Sequence, residues 1–96
     1  MDDFSILTQS IGEYAVSVLG PENLRGLQVL MNPRDLTGHI SIVLEDESDE
    51  SQKQILRSLF DVERVFFDEA VLSFSFVREI DADLAESTAT PIYSYA

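Results

Sequence analysis

The sequence predicts an α+β fold: a two-layer sandwich in which a four-stranded antiparallel sheet carries two helices on one face. Three observations lead there. Apolar residues recur at helical spacing in two segments, strand-like apolar runs occur in four others, and the order along the chain is α-β-β-α-β-β. Each helix offers one apolar stripe, so covering a single sheet face is the economical packing.

Residues 3–19 read as the first helix, with Phe4, Leu7, Ile11, Tyr14, Ala15 and Val18 on one stripe. Asp2 and Asp3 sit where the helix dipole favours negative charge. Gly20-Pro21 stops the helix, because glycine accepts a left-handed cap and proline cannot continue the ladder. Gly12, an interior glycine that costs about 1 kcal/mol relative to alanine, is read as a close approach of helix to sheet.

Leu27–Met31 is the first strand and His39–Glu45 the second, with Ile40, Ile42 and Leu44 on one face and Ser41, Val43 and Glu45 on the other. Asn32-Pro33-Arg34-Asp35 is the turn that makes them an antiparallel hairpin, with Gly38 available for a positive φ. The acidic run Glu45–Glu50 leads into a second helix over about residues 50–61, capped by Asp49 with Gln52 three residues on. Ile55, Leu56, Leu59 and Phe60 form its expected buried face, and Lys53 and Arg57 its exposed one.

Val62–Phe67 and Val71–Val77 flank the tight connection Asp68-Glu69-Ala70 and read as a second hairpin. Leu72, Phe74 and Phe76 alternate with Ser73 and Ser75, the pattern of a half-buried strand. Residues 1–78 are therefore expected to form one compact domain. Residues 79–96 form an acidic, poorly ordered tail with a terminal aromatic segment.

Composition narrows the function. The 96 residues are 45% hydrophobic, enough for one globular core, and no run of about 18 uninterrupted apolar residues predicts a membrane span. Eighteen acids against six bases give a net charge of -12, which disfavours direct contact with phosphate backbones and anionic membranes. Partners are expected to present neutral or basic protein surfaces. Met1-Asp2-Asp3 is acidic where a signal peptide is basic, so the expected location is the cytoplasm. Without cysteine there is no thiolate nucleophile and no disulfide framework.

His39, the one histidine, has no cysteine or second histidine to work with, and no Gly-x-Ser-x-Gly elbow occurs. The run 45–50 lacks the glycine of a calcium loop, and the four glycines form no phosphate cradle. No catalytic residue, metal site or cofactor is therefore assigned. The informative feature is the sheet face without helices. Phe66 and Phe67, as neighbours in one strand, point to opposite faces, so one of them joins Leu30, Val43, Val71 and Val77 there. Ile92, Tyr93 and Tyr95 are expected to dock on an apolar surface, either of their own sheet or of a second chain.

The expected function is a non-enzymatic protein–protein interaction or regulatory module, a homodimer, using these nine residues. The alternative is a small-molecule-binding or small enzymatic domain that grips an anionic ligand through Arg25, Arg34, Arg64 or Arg78.

Overall fold

A computed structural model describes residues 3–32, 34–78 and 92–95, with side chains from residue 5 onward. Helix α1 (Asp3–Leu19) and a 3₁₀ turn (Pro21–Asn23) lead into strands β1 (Leu24–Asn32) and β2 (Thr37–Leu44). Helix α2 (Asp49–Val65) follows, then strands β3 (Val71–Phe76) and β4 (Ile92–Tyr95). The fold is α+β with one four-stranded sheet in the order β3-β2-β1-β4.

That sheet is mixed, not antiparallel throughout. β1 pairs antiparallel with β2 and β4, whereas β3 lies parallel to β2, Ile40 opposite Phe74 and Ile42 opposite Phe76. The cause is the length of α2. Seventeen helical residues rise about 25 Å, close to the length of an eight-residue strand, so the helix carries the chain back to the end where β2 began. A helical crossover of this kind is what parallel pairing requires.

The expected hairpin of 62–67 with 71–77 therefore does not form. Residues 62–65 are the last turn of α2 and 66–69 a turn, so the reading of Phe66 and Phe67 as strand neighbours on opposite faces falls with it. β-branched and aromatic residues favour strands only where packing agrees. Here Ile55, Leu59, Val62 and Phe66 recur at intervals of four, three and four, and all four are buried. The stripe that faces the core thus leaves out Leu56 and Phe60, which the sequence pattern places on it. Each lies about 100° further round the helix from the buried residue before it, and both are exposed.

The helix start is also displaced. Ser48 is the N-cap, its side chain accepting the Ser51 N–H at 3.3 Å, while Asp49 belongs to the first turn. α1 ends as expected, with Gly20 at φ 90° and its N–H donated to the Val16 carbonyl. In the β1–β2 turn the positive φ falls on Leu36, at 55°, and Gly38 lies within β2.

One core lies between the sheet and the two helices. Ile11 and Ala15 of α1 and Leu59 and Val62 of α2 close over Leu27, Val29, Ile40, Ile42 and Leu72, all of which lie on one side of the pleat. Tyr93 and Tyr95, opposite Val29 and Leu27, share that side and pack on the same core. The Tyr93 ring covers Gly12 so closely that a Cβ there would fall within it, which is the close approach read from the sequence. Burial pushes the Tyr93 phenol above its ordinary pKa, and the charges of Glu13 and Tyr95 add to the effect. The expectation of low order over 79–90 and the stripe position of Phe4 lie outside the described residues. No helix among the described residues is long and apolar enough to cross a membrane.

Candidate interaction surface

Alternation along the strands decides what the sheet shows on the side away from the helices. Ile92 lies opposite Leu30, Leu30 opposite His39, and His39 opposite Ser73, which makes one row across all four strands. The next row is Ser94, Gln28, Ser41 and Ser75. Of the residues expected to line this face, Leu30 and Val43 are on it, and Ile92, expected to dock on an apolar surface, joins them as part of β4. Val71 shares the parity of Ser73 at the exposed end of β3, and Val77 follows that strand, its N–H donated to the Ile42 carbonyl.

The middle of this face is polar. His39 Nδ1 lies 2.8 Å from Ser73 Oγ and Nε2 lies 2.8 Å from Ser75 Oγ, so the ring ties β2 to β3. Ser73 Oγ also donates to the Gly38 carbonyl at 3.4 Å, so toward the ring it is placed to accept from Nδ1–H. Among the described residues, the ring's bonded partners are the Ser73 and Ser75 hydroxyls. Gln28 is buried, its Nε2 without a hydrogen-bond partner among the described residues, and Val43 is buried as well. The face is therefore neither broadly apolar nor broadly open.

The other expected interaction residues go elsewhere. Phe66 is in the core, edge-on to the Tyr14 ring at 5.8 Å. Phe67 stands 73% exposed just past the end of α2. Tyr93 and Tyr95 turn toward α1.

Exposed large apolar side chains are spread over the molecule, Ile6 on α1, Leu36 in the β1–β2 turn and Val71 on β3, but Leu56 and Phe60 stand together on the outside of α2. Leu56 is 38% exposed and Phe60 52%, and four residues apart they form a second stripe beside the buried one, with Phe67 in the turn beyond the helix. Lys53, Arg57 and Arg64, three of the chain's six bases, flank it. The sequence does carry a signal for this surface. The segment holds two apolar stripes, 55/59/62/66 and 56/60/67, where contact with one sheet accounts for one.

Of the arginines proposed for an anionic ligand, Arg25, Arg34 and Arg64 lie apart from one another. Arg25, at the register shift in β1, donates Nε to Glu45 Oε2 at 3.3 Å, and Arg34 lies beyond the opposite end of that strand. Arg64 reaches Asp61 at only 3.9 Å, on the surface. Shallow depressions of about 130, 330 and 230 Å³ lie on the described surface, and none is lined by two arginines. In the acidic run, the Asp46 carboxylate accepts the Ser48 N–H at 3.0 Å and the Ser51 hydroxyl at 2.9 Å. These bonds, the Ser48 N–H first, hold its pKa below the ordinary carboxylate value. Among the described residues, no three His, Cys, Asp or Glu side chains are grouped to hold a metal ion.

Compared with protein-family models, curated proteins and solved structures, the chain matches none of them.

Proposed function

We propose that this chain is a non-enzymatic protein–protein interaction module that self-associates as a homodimer through the outward stripe of α2. The observation that carries the reading is the exposure of Leu56 and Phe60 along one side of α2, with Phe67 exposed in the turn that follows it. A patch of large apolar side chains rimmed by charge is the surface that association buries. Aromatic anchors contribute most of the affinity in such contacts. The proposal moves the interface from the open sheet face to α2, because the sheet face has a polar centre and its Val43 is already buried.

Light scattering on a sizing column, run at increasing protein concentration, tests this. The wild-type chain is expected at twice its monomer mass and Phe60→Asp at the monomer mass, with unchanged far-UV circular dichroism. A wild-type chain that stays monomeric throughout would overturn the reading, as would a Phe60→Asp variant that remains dimeric.

A further inference from the structure

We propose that two copies join by laying α2 against α2 in antiparallel fashion about a twofold axis, with Lys53 of each copy meeting Glu63 of the other. This inference rests on the self-association proposed above and adds the geometry of the contact.

Asp49, Lys53, Leu56, Phe60 and Glu63 follow one another at intervals of four, three, four and three, and Phe67 comes four residues later in the turn after the helix. That spacing keeps them on one line along the surface, as at the seam of a paired helix. Along this line Leu56 and Phe60 form the apolar centre, Lys53 lies three residues before it and Glu63 three residues after it.

The arrangement is self-complementary only when reversed. In an antiparallel pair centred between Leu56 and Phe60, each Leu56 faces a Phe60 and each Lys53 faces a Glu63. The twofold axis repeats both contacts, the pattern an isologous interface requires. A parallel pair would set Lys53 on Lys53 and Glu63 on Glu63, and like charges face to face oppose association. Neither residue has an ion-pair partner in its own chain among the described residues, so both are available. Rim pairs of this kind set orientation more than affinity, which is left to Leu56 and Phe60.

The decisive experiment uses Lys53→Glu and Glu63→Lys, separately, mixed and combined in one chain, read by native mass spectrometry with one chain carrying a mass tag. Each single variant is expected to weaken its own dimer at least tenfold, since both charge pairs become like-signed. Mixing the two is expected to yield the heterodimer, in which both pairs are again opposite. The chain carrying both changes is expected to regain the homodimer. If Phe60→Asp abolishes the dimer but the single variants keep it, the antiparallel geometry is overturned while the α2 interface stands. That geometry fails equally if neither mixing nor combination restores what the single changes lost. If the wild type is monomeric, or Phe60→Asp leaves the dimer intact, the α2 interface itself fails and this pairing with it. Lys53 and Phe60 are exposed and Glu63 is half-buried, and circular dichroism verifies folding of each variant.

Discussion

Gly12 shows how one absent side chain sets a contact between distant parts of the chain. The Tyr93 ring occupies the space a Cβ would fill, and the obstructing atoms include the ring's Cγ, which cannot swing aside as a flexible chain end would. Gly12→Ala gains about 1 kcal/mol of helix propensity. Crowding of this kind costs about 1–3 kcal/mol. The expected net loss is about 1 kcal/mol, or some 4–8 °C in Tm for a domain this small. The assignment to Tyr93 is checked by a double-mutant cycle: in a Tyr93→Ala background, Gly12→Ala is expected to be neutral or stabilising. Equal losses in both backgrounds would show that the ring is not what the glycine makes room for. Glycine in a helical stripe was legible as a close approach, but its occupant was not, because Tyr93 is 81 residues away and meets it only through the sheet.

The second helix is decided by its ends. Asp46 and Ser48 tie the acidic loop into its first turn, through the Ser48 N–H, the Ser51 N–H and the Ser51 hydroxyl. The lowered pKa of Asp46 gives the pH dependence its sign. A carboxylate held below its ordinary pKa contributes stability that is complete above the ordinary value, and that contribution is lost as pH falls through the lowered one. Asp46→Ala is therefore expected to lower Tm at neutral pH, with the gap from wild type closing below about pH 4. Thermal melts from neutral to acid pH on both proteins measure this, and a gap that is constant with pH would sink it. At its other end, α2 runs through Val62–Val65, where the residue types favour a strand. The apolar spacing from Ile55 to Phe66 was the better guide, since the helix buries that stripe in the core.

The whole molecule is held by strands that enter the sheet from far apart in the chain. β4 adds four residues beside β1 and turns Tyr93 and Tyr95 onto the core beneath α1. Deleting residues 91–96 removes both half-buried rings and the ladder to Leu27–Leu30, an expected loss of about 2–3 kcal/mol. That corresponds to roughly 10 °C or more in Tm. Circular dichroism melts test it. Dimer mass is expected to survive the deletion, because the α2 stripe lies outside the segment removed. An unchanged Tm would show that β4 adds nothing to the domain.

Local pattern by itself determined both helices to within a few residues, the β1–β2 hairpin, and the inward set Ile40, Ile42, Leu44, Leu72, Phe74 and Phe76. It determined these because period and turn chemistry are properties of neighbours in sequence. Only the tertiary structure decided that β3 runs parallel to β2, that Ile92–Tyr95 forms an edge strand, and that Leu56 and Phe60 face outward. Strand direction depends on how far α2 carries the chain before it turns. The facing of a helix with two apolar stripes depends on which of them the single sheet can reach, and the core reached Ile55, Leu59 and Val62.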